Sequence, residues 1–572
     1  MCRLCFGGKK NYMINKLKRY FYTVKDLKVN QMFYLLTKNK VNFPVEKKLD
    51  ILREINIKID ILDEDKSYLD RFSHSNKDSV YNVTLLNQDI NLLNIFKSDI
   101  SNYTDLIKFN IHYLEYLIVF GVEFEKTNDS NYYVIFKSVL NDWLDNTSEV
   151  NEKLSWHPYV ISLQLINILI SVEYFQKELV RDLNFNNKLI KRIKEKYLFL
   201  LSNTEKHLKG NHYLENLKTI VILSAMFNDT ENLSKFKRIY IKELNSQIDE
   251  YGFHLELSPM YHKIILEGIL RVNKVFESLG FIREKEELEI YIKKMYSMLI
   301  YMEEGVKRTP LFNDSGDNIA KSFFSINRYL ETKLNFEETI IGQNDFPYFR
   351  IENNEEKRYT LIYDASDIGY SYNPGHGHCD SQSFELYCDG NPVFVNSGTY
   401  FYQTDKRAYF RSTKAHNTVS INGLEQSDIW GIFRVGKKVK VLDKYLDENS
   451  CFSKIKDKNG NIIQRKVNLN KTFISIKETI KINANNYEQL QIVSYLHIHP
   501  ELNLTMKDGN AFIMKNGKLL FSVESCGEMK EVNRNSSNPI TSYSENFGMI
   551  ECKDVIEIKW KNKKNEIKIL FR

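Results

Sequence analysis

Two periods divide the chain. Up to about residue 340, apolar positions recur at helical spacing. Ile161, Leu163, Leu165, Ile166, Ile168 and Leu169 form the densest stretch and predict a buried helix. Further helices are predicted around Leu92–Phe96, Tyr113–Val119, Leu214–Leu223, Ile264–Leu270 and Leu288–Leu299. No clean strand separates them, which predicts an all-α array. Beyond that point short β-type runs take over, such as Tyr359–Tyr363, Phe473–Ile476 and Val555–Trp560. Asp389-Gly390, Asp508-Gly509 and Asn516-Gly517 supply hairpin turns between them. Regularly spaced short strands predict an antiparallel sandwich. The expected division is residues 1–342, helical, and 343–572, β-sandwich.

Composition changes little in this picture but excludes several functions. With 572 residues the chain is too long for one core. The 80 basic and 74 acidic residues are interspersed and leave a net charge of only +6, so no nucleic-acid partner is expected. The seven cysteines are scattered and odd in number, which is not a disulfide framework; Cys2 and Cys5 form a CxxC without a second pair. No apolar run is long enough to span a membrane, and no export signal is legible near Lys16–Arg19. A cytoplasmic location is the expectation.

Candidate chemistry is concentrated in a few polar stretches. Gly375–Tyr400 carries His376, His378 and Asp380 ahead of a predicted hairpin. Two imidazoles two residues apart suit a proton relay or a metal site. Gly210–Asn216 reads as a helix start with Asn211 and His212 in its first turn, where free N–H groups favour an anion. Glu215 falls one turn later. Glu256–His262 contains Pro259, suited to a first helical turn, with Tyr261 just inside. Asn313–Asp317 reads as a turn, with lining of the substrate site as the alternative. Arg407, Tyr409 and Arg411 precede a third histidine, His416.

Taken in order, these stretches resemble the heparinase II/III-like polysaccharide lyases, a group that includes oligoalginate lyases. Phe109–Tyr113 is similar to an "NLH" helix, Trp156–Asn167 to "W…SxRxxN", Gly210–Asn216 to "GNHxxEN" and Glu256–His262 to "ExSPxYH". Gly375–Tyr400 resembles "GHxHxDxxSFEL…DxGTY", and Tyr409–Val419 resembles "YFRSTxAHNTV". The resemblance implies an α/α toroid followed by an antiparallel β-sandwich, and β-elimination on an anionic, uronic-acid polysaccharide. It implies that Asn211 and His212 neutralise the substrate carboxylate, with Tyr261 and His376 as acid/base residues. Tyr402 and Tyr409 are reserve candidates for a second tyrosine. It also implies substrate contacts from Asn110, His112, Glu215, Glu256, Arg407, Tyr409 and Arg411. A structural divalent metal, zinc or calcium, would fall on His378, Asn396 and His416.

Three positions depart from the pattern. Asn396 stands where an Asp ligand is expected, and Asp380 is the candidate replacement. Gln164 stands where an Arg is expected, and the export signal of polymer-degrading members is not seen. The last points to processing of capsule or exopolysaccharide. Two other readings compete: a non-catalytic polysaccharide-binding or assembly protein, and a metal-dependent hydrolase built on the three histidines.

Overall fold

The computed structural model describes residues 16–29, 31, 59, 69, 72, 81–148, 154–333, 343–354, 356–369, 371, 372, 374–483 and 490–572. The Cys2–Cys5 pair and the expected boundary at 342 lie outside the described residues.

The helical half contains α1 (Asp105–Tyr113), α2 (Leu117–Thr127), α3 (Asn131–Asn146), α4 (Pro158–Tyr174), α5 (Gln176–Arg181) and α6 (Leu183–Ser202). It continues with α7 (Gly210–Met226), α8 (Thr230–Gln247), α9 (Pro259–Ser278), α10 (Ile282–Glu303) and α11 (Phe323–Lys333). In the inner layer α4, α7 and α9 stand side by side, with α1 and α2 against α4. Helices α3, α6, α8 and α10 pack behind them, completing an α/α toroid. Sequence decides the layer. In α7 every residue except His212 is buried, the polar Asn211, Glu215, Asn216 and Lys218 among them. Outer α8 buries one stripe, Leu233, Phe236, Tyr240 and Leu244.

Two helical expectations need correction. Leu92–Phe96 forms turns, and the hairpin Asn82–Leu85 with Gln88–Asn91 precedes it. Its turn residues Leu86 and Asn87 are left-handed, at φ 49° and 61°, and Val83, Leu85 and Ile90 face inward. The predicted Tyr113–Val119 helix is split, because Leu114 is left-handed at φ 59° and ends α1.

The second half is an antiparallel sandwich. One four-stranded sheet contains Tyr348–Asn354, Arg358–Asp364, Phe384–Cys388 and Asn391–Phe394. A second holds Glu528–Val532, Val555–Lys559, Ile492–His497 and Val419–Ile421. An eight-stranded sheet is built from strands between Lys440 and Phe571. Apolar residues from all three, among them Leu361, Leu386, Ile474, Ile556 and Ile567, share one core. The Asp389-Gly390 turn adopts φ 49° and 74°, as its sequence predicts.

The connection between α10 and α11 leaves the toroid and runs along the sandwich. Lys307 N donates to Gly390 O, Leu311 N to Glu385, and Asn313 N to Asp380. This path carries Asp314 to the histidines of the sandwich.

Candidate active site

The N-terminal ends of α4, α7 and α9 converge on a cleft of about 430 Å³ whose far wall is the sandwich. Each end points the positive pole of a helix dipole at it. They present His157 and Tyr159, Asn211 and His212, and Tyr261; the sandwich presents His376, Tyr402 and Phe433. Helix α7 begins abruptly. Lys209 adopts φ 58° and ψ −152°, a conformation that costs a side-chain-bearing residue about 1–3 kcal/mol. Its Nζ–Glu243 pair at 2.7 Å and the burial of α7 hold it there. For α9, Ser258 Oγ accepts from Tyr261 N at 3.2 Å and donates to Asp314 O at 2.8 Å. The cap therefore ties Tyr261 to the Asp314 loop.

Asp314 is the centre of the site. It is fully buried and accepts from His376 Nδ1 at 2.9 Å and from His378 Nε2 at 2.8 Å. Arg407 grips both of its oxygens, Nη2 at 2.7 Å from Oδ2. Burial works against the Asp314 charge, but Arg407 and the two histidines outweigh it and hold the carboxyl well below the usual carboxylate range. An ionised Asp314 accepts only, so His376 carries its proton on Nδ1. Its Nε2 then keeps a lone pair, 3.3 Å from Asn211 Nδ2.

Asn211 is placed by Glu256, which accepts from its backbone N at 3.0 Å and from its Nδ2 at 2.8 Å. The second amide N–H is therefore the one that meets His376. His212 stacks on Tyr159, ring centroids 4.1 Å apart, and its Nδ1 lies 3.1 Å from Glu205. Burial opposes the His212 charge, yet Glu205 prevails and raises its pKa. Tyr261 packs its ring 4.4 Å from His376, and its hydroxyl meets that of Tyr402 at 2.9 Å. Burial pushes both phenols well above their ordinary value, so both are protonated at neutral pH.

The structure thus brings Asn211, His212, Tyr261 and His376 together. Asn110, Glu215 and Glu256 also line the cleft. Several of the expected substrate contacts are engaged within the protein. Glu256 is occupied in holding Asn211, and Glu215 in a buried pair with Lys218. Arg407 is occupied by Asp314. Arg411 is buried and donates to Gly377 O and Ile432 O. Tyr409 bonds Ser397 and Ile540 O inside the sandwich. His112 is buried against Phe96. Gln164, the departure from Arg, ties α4 to α1 by donating to His112 O at 2.8 Å, away from the cleft. Glu205 and Tyr159 were not singled out by sequence, and Asp314 only as a member of the Asn313–Asp317 cluster. Asp314 had a weak signal inside the Asn313–Asp317 turn; Glu205 had none, standing in a loop five residues before α7.

The metal reading also changes. His378 Nδ1 and His416 Nε2 are buried without a hydrogen bond of ordinary geometry, and with Asp380 they offer donors within 4.8 Å of one another. Burial keeps His378 neutral, its pKa lowered to about 4, and pushes His416 well below the usual imidazole range. Two neutral imidazoles and a carboxylate fit zinc better than calcium, which prefers an all-oxygen shell. Asn396 is not part of that set. Its Oδ1 lies 3.1 Å from His416 Nδ1 and 2.6 Å from Ser383 Oγ, so it orients His416. The Asp-to-Asn departure thus falls behind the donor set.

Comparisons with known proteins agree with the fold. The chain is 15% identical to a solved heparinase III over 92% of this chain and 87% of that one, with a TM-score of 0.67. A heparan sulfate lyase from Pedobacter heparinus aligns over 94% of this chain and 87% of its own, at 15% identity and TM-score 0.54. Among curated relatives, a heparin-sulfate lyase of Bacteroides thetaiotaomicron is 22% identical over 365 residues, 54% of this chain and 51% of the relative. The chain thus spans about half the length of the curated relatives it matches. Residues 23–337 match the heparinase II/III N-terminus and residues 344–556 the heparinase II/III-like C-terminal region. With helices α1–α11, most of the sandwich and the histidine-bearing loop falling inside those matches, the chain belongs to the heparinase II/III family.

Proposed function

We propose that the protein is a polysaccharide lyase that cleaves a uronic-acid glycan by β-elimination. The observation that carries this reading is the line Asp314–His376–Asn211, with Tyr261 packed beside His376 at a helix N-terminus. The substrate carboxylate takes the second Asn211 N–H and faces the His212 cation. That releases His376 Nε2, which removes the proton from C5. The C–H electron pair forms the C4=C5 double bond as the C4–O4 bond breaks. Tyr261 gives its phenolic proton to O4. The charge developing on the carboxylate is met by groups already in place, and Asp314 stabilises the imidazolium.

Each lysine or arginine lining the cleft among the described residues is paired with a glutamate. Lys209 meets Glu243, Lys218 meets Glu215, and Arg271 and Lys321 share Glu267. This favours a sparsely charged uronate polymer over a densely sulfated one. Processing of capsule or exopolysaccharide is the setting we favour. Ultraviolet absorbance of the unsaturated uronate tests the reading: a hydrolase yields only a new reducing end, and a binding protein yields neither.

Asn211→Ala should lower kcat by about 10²–10³, the cost of one donor to a developing anion. A change within twofold removes it from the mechanism. The His212 cation is present below its raised pKa and is lost as pH rises through it, so kcat/KM should fall on the alkaline side. Glu205→Gln removes the main group raising that pKa. The alkaline limb should move to lower pH; a stationary limb would show that His212 does not act as a cation.

His378, Asp380 and His416 are the residues we propose to hold a divalent metal, which when bound supplies a fixed positive charge behind Asp314. Metal analysis should find one zinc per chain, lost in His416→Ala. A metal-free wild-type protein would rule the site out.

A further inference from the structure

One cleft-lining side chain has no part in this reaction. Phe433 sits on the small hairpin of Ile429–Trp430 and Arg434–Val435. Among the described aromatic residues lining the cleft it alone is exposed, at 40%. A single exposed phenylalanine is ordinary on a protein surface. This one stands beside the reacting groups, its ring 5.1 Å from that of Tyr402 and 5.9 Å from that of His376.

The hairpin is held from both sides. A two-stranded ribbon this short has little stability of its own. On its inner side Ile432 O accepts from Arg407 Nε at 3.3 Å and Arg411 Nη1 at 3.0 Å. Arg407 is the guanidinium that grips Asp314, so the hairpin is set in register with the base. On the outer side lies the helical segment 16–24. Its Arg19 makes two bonds to Asp428, at 2.9 and 2.8 Å. Thr23 Oγ1 donates to Val435 O and accepts from Trp430 Nε1. The Arg407 guanidinium sits 5.6 Å from the centre of the Phe433 ring.

A pyranose ring has a polar rim and an apolar C–H face. An aromatic face carries negative quadrupolar charge and meets C–H groups favourably. We propose that Phe433 is a sugar-binding platform, stacking the C–H face of the pyranose adjacent to the cleaved bond. This rests on the lyase reading above. It makes Phe433 a specificity-determining residue with no role in proton transfer.

The test begins with the wild-type protein on heparosan, hyaluronan, polymannuronate and polygalacturonate, read by the absorbance of the unsaturated product. The polymer cleaved fastest is the probe. Phe433→Leu keeps apolar volume against Tyr402 but loses the flat face; Phe433→Tyr keeps the face. The leucine variant should raise KM about tenfold with kcat nearly unchanged, and the tyrosine variant should match wild type. Cleavage by the leucine variant at wild-type KM, or an equal loss in both variants, overturns the platform and leaves the lyase reading standing. If wild type cleaves none of the four, the lyase reading fails and the platform with it.

Discussion

Tyr261→Phe should reduce turnover by about 10²–10⁴, the range for loss of a positioned general acid, while KM stays close to wild type. The substitution removes one oxygen. The ring keeps its place beside His376, and the Ser258 cap that sets the start of α9 is untouched. Asn211 and His212, proposed to bind the carboxylate, are untouched as well. What disappears is the proton for O4. Burial keeps the Tyr261 phenol protonated far into the alkaline range, which suits an acid and leaves the base role to His376. The Tyr402 hydroxyl loses its partner, a loss of about 1–3 kcal/mol in a buried site, so some fall in unfolding midpoint should accompany the change. Tyr402→Phe is the control. It removes the other half of the same hydrogen bond, so the stability loss should be similar and the rate loss much smaller. If the two variants lose activity equally, the pair acts as a unit and Tyr261 cannot be assigned the acid role alone.

Much of this arrangement was legible in the chain itself, and the reasons differ by level. The change of period near residue 340 marks the two halves because a helix and a strand repeat their faces at 3.6 and 2 residues. Asn211, His212 and Tyr261 could be placed because Gly210 and Pro259 mark helix starts, and side chains in a first turn have few places to point. His376 and His378 were harder. Two residues apart in an extended chain, they should share one side. Instead Gly375 and His376 lie in a turn, and Gly377 packs so closely on Ile368 that an added Cβ would come within 2.6 Å of it. The two rings reach one carboxylate from different nitrogens. Arg407 and Arg411 misled for a general reason. A basic residue near a polar motif looks like an anion contact, and only the fold shows whether the anion is a substrate or a buried aspartate. Asp314 was hidden for the same reason: its partners lie 62 to 93 residues away in sequence.

Asp314→Asn should be the most informative loss, because one carboxylate serves both histidines. The asparagine side chain is nearly isosteric, but one of its two acceptor positions becomes an NH₂ donor. His376 Nδ1 and His378 Nε2 both donate to Asp314, and Arg407 donates to both oxygens. A donor in that place cannot satisfy all of them. Facing the amide, His376 would move its proton to Nε2, the nitrogen that must be bare to act as base. The analogous loss of the carboxylate behind a catalytic histidine costs about 10⁴ in kcat, and a fall of that order is expected here at little change in KM. Stability should fall too, since Arg407 is left buried without its counter-charge, a penalty of about 3–5 kcal/mol. Two further readouts separate positioning from mere destabilisation. Metal content should drop, because His378 loses the partner that turns its Nδ1 toward Asp380 and His416. His416→Ala should lose metal while keeping the His376 tautomer, and so should retain far more activity than Asp314→Asn. A folded Asp314→Asn protein with activity within tenfold of wild type would mean that His376 does not depend on its carboxylate. The base would then have to be found elsewhere in the cleft.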